Sequence, residues 1–475
     1  MKKTIFLLLF FHNVVNVSAQ QDLGIRNSNY AGIQGTSLNP GSIADSKLKW
    51  DVNVLSTSTV FDNTFLFIPK DSLHLFGFKN IINDIIHQTQ FTTHFDSYDP
   101  NKLYNVTLSN ELIGPSFMVN LRNQSAIGVT TAARFYANIN NITGHFGQNA
   151  FAYLQEQDLW NKIFHDSTAR LNTMGWLEYG LNYATVIYKN ERNELKGGIT
   201  LKYLHGIAAA YLKNTHLNYN IINTAQFSFT NSSIDYGRTD YNTLINTNGH
   251  EDLIHGHGFG TNIGFTYQRF KNFSNEDTKM IDENENNYVY RIGVSVIDLG
   301  SINFNKNSAV YHLQADSANY LNWKQIHIYN NTQLDKILSA VFYNNDSIKS
   351  FRANHFNMKL PVAISLQADW NFYNNFFINA TIIKNIRNKS SAGVIRPDVY
   401  SITPRYEKKW FELSVPVSLL YYGHWQPRIG LAARAGYFFI GGDALGGLLK
   451  LNDFEGADFY VGLHFFVTKK KFKHY

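Results

Sequence analysis

The chain has 475 residues, a net charge of +6 and no cysteine. The missing cysteine excludes disulfides, thiolate metal sites and a lipid-anchored N-terminal cysteine. Charged residues make up 16% and aromatic residues 15% of the chain, whereas typical soluble domains carry ~25% charged residues. The mean hydropathy of -0.25 excludes a helical membrane protein. No sustained basic stripe with interleaved aromatic residues occurs, which argues against nucleic-acid binding.

The N-terminus predicts a secretory signal peptide over residues 1–19. Lys2 and Lys3 form its positive region, Ile5–Phe11 its apolar region, and Val17-Ser18-Ala19 a small-residue cleavage site. A helical membrane anchor is the alternative, but this apolar run is too short to cross a hydrocarbon core of ~30 Å. The prediction leaves the periplasm, the outer membrane and the outside of the cell as destinations.

Apolar and polar side chains alternate with a period of two over long windows. The clearest windows are Phe411–Tyr421, Val362–Phe372 and Phe259–Tyr267. Successive side chains of a strand point to opposite faces, so each window has one apolar face and one polar or small face. The same pattern recurs at Ile127–Phe135, Tyr179–Ile187, Tyr288–Val296, Phe376–Ile382, Ile429–Phe439 and Phe459–Val467.

The length of these windows separates two all-β classes. A soluble exported sandwich or propeller also alternates, but its strands average ~5–6 residues. Strands that cross a membrane need ~9–11 residues, and these windows run to about 9–13. Aromatic residues gather at the window ends, as in membrane-interface girdles. The sequence therefore predicts a transmembrane antiparallel β-barrel in the cell outer membrane, surrounded by lipid and lipopolysaccharide.

A strand count follows from the segments that alternate. They lie near 50–60, 111–122, 126–138, 174–189, 195–210, 258–270, 288–299, 360–372, 375–386, 396–406, 409–422, 426–440 and 457–467. Their number is odd, whereas a bacterial single-chain barrel has an even count. We therefore predict about 14 strands, within a range of 12–16, and expect the missing strand within 61–110, 211–250 or 300–330. The barrel would span residues 50–467, with long extracellular loops and a basic C-terminal tail at 468–475.

Residues 20–49 precede the first strand and are mostly small and polar. A disordered leader and a segment folded into the barrel both fit this composition, and we favour a plug or lumen-lining segment. Its candidate residues are Asn29, Tyr30, Gly32, Asn39, Pro40 and Asp45.

Charges on the polar faces of the windows are the candidate lumen residues. A charge that faced lipid at the bilayer midplane would cost ~2–4 kcal/mol, so the register places them inside. They are Arg134, Glu178, Lys202, Arg291, Asp369, Glu412, Arg434 and Asp458. Structural ion pairs across a narrow barrel are the favoured interpretation, and a selectivity lining or solute site is the alternative. Glu412 and Arg434 are candidate cross-strand partners.

Metal and catalytic patterns are weak in this chain. His250, His255 and His257 with Glu251 could bind a metal such as zinc, but a solvated loop explains them as well. No G-x-S-x-G or H-E-x-x-H motif occurs. The sequence therefore predicts no enzyme, no metal and no cofactor.

Several runs resemble an outer-membrane barrel family of unknown function found in the Bacteroidota. The N-terminal runs are Asn29-Tyr30-Ala31-Gly32, Leu38-Asn39-Pro40-Gly41-Ser42-Ile43-Ala44-Asp45 and Gly114-Pro115-Ser116-Phe117-Met118. The later runs are Pro404-Arg405-Tyr406-Glu407, Trp410-Phe411-Glu412-Leu413, Gly441-Gly442-Asp443 and Gly456-Ala457-Asp458-Phe459-Tyr460-Val461-Gly462-Leu463. The Asn-Pro run before the first strand is also similar to the start of long-chain fatty-acid transporter barrels. That resemblance implies 14 strands and an N-terminal plug.

Three hypotheses for function remain open. The first is a passive channel or transporter for a small solute, with hydrophobic solutes among the candidates. The second is a structural or partner-binding barrel that serves a secretion or gliding machine of the cell envelope. The third is a soluble exported β-protein.

Overall fold

A computed structural model describes most of the chain. The described residues are 22–65, 67, 69–70, 99, 102–121, 124–151, 157–240, 253–271, 288–315, 319–322, 331–373, 375–388, 390–421, 423 and 425–469. The predicted signal peptide, residues 1–19, lies outside these ranges.

Strands dominate the described chain. In chain order they are β1 (Leu48–Asn63), β2 (Leu103–Ile113), β3 (Ser116–Asn120), β4 (Ser125–Thr143), β5 (Ile163–Asp166), β6 (Arg170–Lys189), β7 (Asn193–Asn223), β8 (Gln226–Thr239), β9 (Gly256–Phe270), β10 (Tyr288–Phe304), β11 (Ser308–Ala315), β12 (Asn319–Asn322), β13 (Phe351–Ala353), β14 (Phe356–Lys359), β15 (Ala363–Tyr373), β16 (Phe376–Asn385), β17 (Asp398–Lys408), β18 (Phe411–Ser414), β19 (Val417–Tyr421), β20 (Trp425–Ile429), β21 (Leu431–Ala435), β22 (Phe438–Gly442) and β23 (Gly456–Thr468). The α-helices are α1 (Leu23–Arg26), α2 (Gly144–Phe151) and α3 (Asn331–Phe342), and 3-10 turns span Gly32–Ser37, Pro40–Ile43 and Gln157–Leu159.

The described strands form one closed antiparallel barrel of 14 wall strands, which confirms the predicted class and count. Closure comes from β1, which pairs with β2 and β3 on one side and with the last strand, β23, on the other. A closed barrel leaves no strand edge with unpaired backbone groups. Three wall strands consist of two segments each, namely β2 with β3, β18 with β19, and β20 with β21.

The missing strand lies where the sequence analysis did not expect it. Residues 426–440 were interpreted as one strand, but the structure divides them into β20–β21 and β22. The two run antiparallel, with Ala435 opposite Phe438. Gly436 makes the tight turn between them at a φ of +61°, a left-handed conformation that glycine adopts without steric cost. Apolar residues continue through this turn, and they hid the boundary.

The two ends of the barrel differ. Short connections between β3 and β4, β6 and β7, β15 and β16, β17 and β18, and β21 and β22 all lie at one end, together with the first residue of β1 and the last residue of β23. We call this the turn end and the opposite one the loop end. Among the described residues, β7 continues past the wall at the loop end. There it pairs with β5 and β8, which pairs in turn with β11 and β12.

Burial along the wall is inverted relative to a soluble protein. On β9, the inward Asn262, Thr266 and Gln268 are buried. The outward Phe259 and Phe265 on the same strand are 73% and 46% exposed. On this strand, apolar side chains therefore cover the outside of the barrel and polar side chains face its inside. Among the described helices, none has both the length and the apolar character needed to cross a membrane.

Candidate functional site in the barrel lumen

The lumen contains the described part of the chain that precedes β1. We call residues 22–47 the N-terminal segment; it forms α1 and two 3-10 turns and contains no strand. Asn39 begins the second 3-10 turn, because its side-chain Oδ1 accepts a hydrogen bond from the Gly41 backbone N–H at 2.9 Å and Pro40 occupies the first position. Most of the segment is buried against the inner wall.

A balanced ionic cluster lies across the middle of the lumen. We call it the Asp298 cluster, because the Asp298 carboxylate accepts hydrogen bonds from Arg134 at 2.8 Å, from Lys202 at 2.7 Å and from Arg396. Glu178 contacts Arg134 at 3.3 Å and Lys202 at 2.9 Å. The whole cluster consists of four cationic and four anionic side chains, namely Arg26, Arg134, Lys202, Arg396, Asp22, Glu111, Glu178 and Asp298.

Arg26 joins the N-terminal segment to this cluster. Its guanidinium lies 2.5 Å from the Glu111 carboxylate of β2 and 2.8 Å from Asp22 within the segment. The Arg26 side chain is only 5% exposed. Glu111 also lies 3.4 Å from Arg134, its direct cross-strand partner on β4. Removal of one partner from a buried ion pair leaves an uncompensated charge, which typically costs about 3–5 kcal/mol.

A second ionic cluster lies nearer the turn end, and we call it the Glu407 cluster. It contains equal numbers of cationic and anionic side chains: Arg291, Arg405, Arg434, Asp369, Glu407 and Glu412. Cross-strand neighbours form two of its pairs. Arg291 lies opposite Asp369 at 3.4 Å, and Glu412 lies opposite Arg434 at 3.2 Å. Arg405 connects the pairs through Asp369 at 3.2 Å and Glu407 at 2.9 Å.

The N-terminal segment is bonded to this second cluster through polar contacts. The Asn29 backbone N–H donates to Glu407 at 3.1 Å, and the Ser28 hydroxyl donates to Glu412 at 2.7 Å. Arg291 donates to the Asn29 side-chain oxygen at 3.0 Å. The Arg434 guanidinium lies 4.8 Å from the centre of the Tyr30 ring, within the range of a cation–π contact.

Two further points of attachment depend on backbone shape. Gly32 has a φ of +56°, and the next residue, Ile33, donates its backbone N–H to the Asp51 carboxylate at 2.9 Å. A Cβ atom at Gly32 would lie 2.2 Å from an Asp51 oxygen. The Pro40 backbone approaches β7 so closely that a Cβ at Gly198 would lie 2.5 Å from its carbonyl carbon. The Asn39 amide donates to the Phe265 carbonyl of β9 at 3.0 Å.

Replacement of Gly32 by alanine is expected to loosen the N-terminal segment. The left-handed backbone adds roughly 1 kcal/mol of strain, and the Asp51 carboxylate must move away from the Ile33 N–H. We expect trypsin to cleave after Arg26 roughly tenfold faster than in the wild type, since 1.4 kcal/mol corresponds to a factor of ten. Gly436→Ala is the matched control, because that glycine has a φ of +61° with open space around it. Equal cleavage of the two variants would contradict the role of Gly32.

Asp45 attaches the end of the segment at the turn end of the barrel. Its carboxylate lies 2.5 Å from Lys189 of β6 and 2.6 Å from Lys469 after β23. Burial alone would raise the pKa of the Asp45 carboxyl, but the ammonium groups of Lys469 and Lys196 outweigh burial and hold this pKa below its ordinary value. The ionised carboxylate is thus the form that the folded protein favours.

The lowered pKa of Asp45 predicts a pH-dependent contribution to stability. A carboxyl whose pKa is lower in the folded state stabilises the fold above its unfolded pKa of ~4, and this contribution is lost as the pH falls below that value. Asp45→Asn should therefore lower stability by about 1 kcal/mol at pH 7, a typical value for partly exposed pairs. The temperature at which the heat-modifiable gel band converts measures this difference, which should shrink between pH 5 and pH 2. A difference that stays constant over this range would exclude the ion pairs as its cause.

Asp443, in the connection between β22 and β23, holds the start of the segment. It accepts hydrogen bonds from the Leu23 backbone N–H at 2.7 Å and from the Tyr460 hydroxyl at 2.8 Å. Burial raises the pKa of the Asp443 carboxyl to about 6, although these hydrogen bonds act in the opposite direction. Asp458 lies beside it and accepts the Ala444 backbone N–H at 2.8 Å.

The space left in the lumen differs between the two ends. A cavity of about 440 Å³ opens at the turn end between the N-terminal segment and the wall, with Lys47, Lys196, Arg291 and Gln268 in its lining. Toward the loop end, the described residues form a packed apolar core inside the barrel. Its buried core residues are Tyr136, Met174, Trp176, Leu204, Ala209, Ile302, Phe304, Phe356, Met358, Leu360 and Val394.

The structure thus assigns a position to each residue that the sequence analysis selected. Arg134, Glu178 and Lys202 meet in the Asp298 cluster, whereas Arg291, Asp369, Glu412 and Arg434 meet in the Glu407 cluster. Asp458 belongs to neither cluster. The six selected residues of the N-terminal segment lie inside the barrel. Asn29 and Tyr30 contact the Glu407 cluster, and Gly32, Asn39, Pro40 and Asp45 contact other parts of the wall.

The sequence analysis missed several members of these clusters. Asp298 has a φ of +56° at a β-bulge, where the pairing register shifts between Val296 and Leu299. A bulge adds one residue to a strand and so breaks the period-two pattern. Arg396 precedes β17 and therefore belongs to no strand face. Glu111, Arg405 and Glu407 lie on wall strands, and their alternation with outward residues was a signal that could have identified them.

Comparison with known proteins gives one family and several similar structures. The family model described as "Family of unknown function (DUF5723)" matches residues 40–443. No curated protein matches the chain. A mutant of the TodX monoaromatic hydrocarbon channel is 8% identical, with a TM-score of 0.44 and coverage of 93% of this chain and 95% of that one. The Pseudomonas putida toluene transporter TodX itself is 7% identical, with a TM-score of 0.36 and coverage of 94% and 93%. A Pseudomonas aeruginosa FadL homologue is 6% identical, with a TM-score of 0.21 and coverage of 90% and 91%.

Proposed function

We propose that this chain, which belongs to the DUF5723 family, is an outer-membrane channel that admits a small solute when its N-terminal segment moves. The observation that carries the proposal is the way the segment is held. Residues 22–47 lie in the lumen of a closed barrel. Hydrogen bonds that involve side chains, together with ion pairs, attach them to the wall without strand pairing. Such contacts can be exchanged for water one by one, whereas a wall strand cannot leave without opening the barrel.

The surface of the barrel supports a membrane location. The exposed apolar side chains on the outer face would contact lipid and lipopolysaccharide. The buried polar groups on the inner face need hydrogen bonds to water or to other side chains. We propose that the turn end faces the periplasm, because short turns mark that side in outer-membrane barrels. The signal peptide predicted at residues 1–19 would direct the export.

The N-terminal segment would then act as the plug, and the solute would be small and hydrophobic or amphipathic. The packed apolar core at the loop end supports this class, because a path that opened through it would be mostly apolar, as binding pockets for such ligands are. The segment itself also covers apolar wall residues. Leu23 and Leu38 pack on Ile297, Ile383 and Val399, so its displacement would uncover an apolar path.

A reversible disulfide tests this proposal, because the chain has no cysteine of its own. A Cβ atom at Gly41 would lie 3.5 Å from the Thr266 Oγ1. A cysteine sulfur at position 266 would lie close to the position of that hydroxyl oxygen, so Gly41→Cys with Thr266→Cys should form a disulfide after a small shift of the segment. In liposomes, the oxidised variant should pass a labelled alkane no faster than empty vesicles do, and reduction should restore the wild-type rate.

A second disulfide controls for stiffening of the wall itself. Ser125 and Thr185 are cross-strand partners on β4 and β6, and their hydroxyl oxygens lie 2.8 Å apart. Ser125→Cys with Thr185→Cys should pass solute equally well when oxidised and reduced. Equal passage by the oxidised Gly41–Thr266 variant would overturn the plug role. Failure of the wild type to pass alkanes, small aromatic compounds or ions would overturn transport.

The second candidate is a partner-binding barrel for an envelope machine. The observation that favours it is the sheet at the loop end, where β7 extends to Asn223 and its Leu217 and Tyr219 form an apolar cluster with Phe164 of β5. A barrel that conducts nothing in liposomes, yet loses its cellular role when β8 and its neighbours are removed, would be this kind of protein.

A further inference from the structure

Two histidines lie side by side on the outer wall near the loop end. His205 on β7 and His257 on β9 are direct cross-strand partners. Lys202 and Leu204 on β7 are buried inward, so Tyr203 and His205 belong to the outward side of the same strand. The pair is separate from the lumen and from the N-terminal segment.

The geometry of the two rings fits a shared metal ion. Their centroids lie 5.0 Å apart, and their planes are inclined at 79°. A zinc ion about 2.0–2.1 Å from a ring nitrogen lies roughly 3 Å from the ring centroid, so two imidazoles on one tetrahedral ion have centroids roughly 5 Å apart. The spacing of the two ring centroids therefore matches that of two imidazoles on one tetrahedral ion.

Tyr203 supplies a contact of the kind that orients metal-binding histidines. Its hydroxyl lies 3.1 Å from the Nδ1 atom of His257, which leaves the Nε2 atom as the metal ligand. A histidine that binds metal usually donates its other ring N–H to such a partner, and loss of the partner typically weakens binding by ~10–100-fold. The Tyr203 ring also packs edge-on against His205, with centroids 4.7 Å apart.

We propose that His205 and His257 form a binding site for a divalent transition-metal ion such as Zn²⁺ or Cu²⁺, with water in the remaining positions. Imidazole nitrogen suits these ions, whereas Ca²⁺ and Mg²⁺ need oxygen ligands. Among the described residues, no three or more His, Cys, Asp or Glu side chains lie close enough together to bind one metal ion. The site therefore has two protein ligands and stays open toward the outside.

The alternative that the sequence analysis considered, a metal bound by His250, His255, His257 and Glu251, differs from the pair proposed here. His255 and His257 are two residues apart, but the structure buries His255 and leaves His257 on the outer face. His250 and Glu251 lie outside the described residues. The ligand that the structure brings to His257 comes from a different strand, so only the pairing of β7 with β9 reveals it.

Copper binding to the tag-free protein in detergent tests the site. Electron paramagnetic resonance of one added equivalent of Cu²⁺ should show two imidazole nitrogen ligands. His205→Ala and His257→Ala should each remove one nitrogen from the spectrum, and Tyr203→Phe should weaken binding by about tenfold. His355→Ala is the matched control, because His355 is exposed and its Nδ1 forms a hydrogen bond with the neighbouring Asn354. This variant should bind as the wild type does.

Two results would overturn the proposal. The first is a wild-type protein that binds neither Cu²⁺ nor Zn²⁺ above the level of the double variant His205→Ala with His257→Ala. The second is a copper spectrum that stays the same in both single variants, since the metal would then have other ligands. The heat-modifiable gel shift of each variant shows whether its barrel has folded, so loss of binding can be separated from loss of the fold.

Discussion

Replacement of Arg26 by methionine is expected to open the barrel. Among the described residues, Arg26 is the cation that pairs with both Asp22 and Glu111, so the variant leaves the buried Asp22 without this cation and Glu111 with Arg134 alone. Loss of one partner from a buried pair costs about 3–5 kcal/mol, and water in a vacated lumen would rehydrate these carboxylates. The N-terminal segment should therefore leave its position. We expect a persistent conductance in planar bilayers where the wild type shows brief or rare openings.

A double variant separates the ion pair from simple loss of packing. Arg26→Met with Glu111→Gln removes the charge on both sides of the pair, so it should conduct less than Arg26→Met alone. Lys102→Met is the matched control, because Lys102 is 72% exposed and lies 3.6 Å from Asp99. Exposed pairs of this kind contribute about 0–1 kcal/mol. Wild-type conductance in the Arg26→Met variant would show that the Asp298 cluster does not hold the segment.

Replacement of Asp298 by asparagine is expected to produce the largest loss of stability. The Asp298 carboxylate contacts Arg134, Lys202 and Arg396, all of which are buried. Asparagine keeps the shape and tolerates the left-handed backbone at this bulge, so the change isolates the charge. Arg134 and Lys202 would keep Glu111 and Glu178 as partners, whereas Arg396 would lose its carboxylate. We expect a loss of about 3–5 kcal/mol, measured as a lower temperature for conversion of the heat-modifiable band.

A compensating change checks that charge balance is the cause. Arg396 donates only to Asp298 and to the Pro361 carbonyl among the contacts that the structure gives it. Arg396→Gln in the Asp298→Asn background restores equal numbers of cations and anions and should recover part of the stability. A conversion temperature within experimental error of the wild type for Asp298→Asn alone would contradict the central role of this carboxylate.

The alternation of side chains was sufficient to predict the wall. Alternation also occurs in soluble sheets, but its extension over about ten residues is typical of strands that lie between lipid and a polar interior. Windows such as Phe411–Tyr421 therefore identified both the strands and their inward faces. The pattern failed at two kinds of position. At Gly436 apolar residues continue through a tight turn, and at Asp298 a bulge shifts the parity of the strand.

The partners of the lumen charges could not be read from the same pattern. Alternation shows which face a side chain occupies but not its height in the barrel, which depends on the stagger of every pair of strands around the closed ring. Glu412 and Arg434 are in neighbouring hairpins, so their pairing could be anticipated. Arg26 and Glu111 belong to distant parts of the chain, and their contact depends on how the N-terminal segment folds into the closed lumen.

The sequence by itself determined the class of fold, the approximate strand count and which face of each strand is apolar. These properties depend on local periodicity and on the surroundings of each face. Only the tertiary structure decided which charges meet in the two ionic clusters, where the N-terminal segment lies, and that His257 faces His205. Those contacts join residues from strands and segments far apart in the chain, and closure of the barrel is the step that brings them within reach of one another.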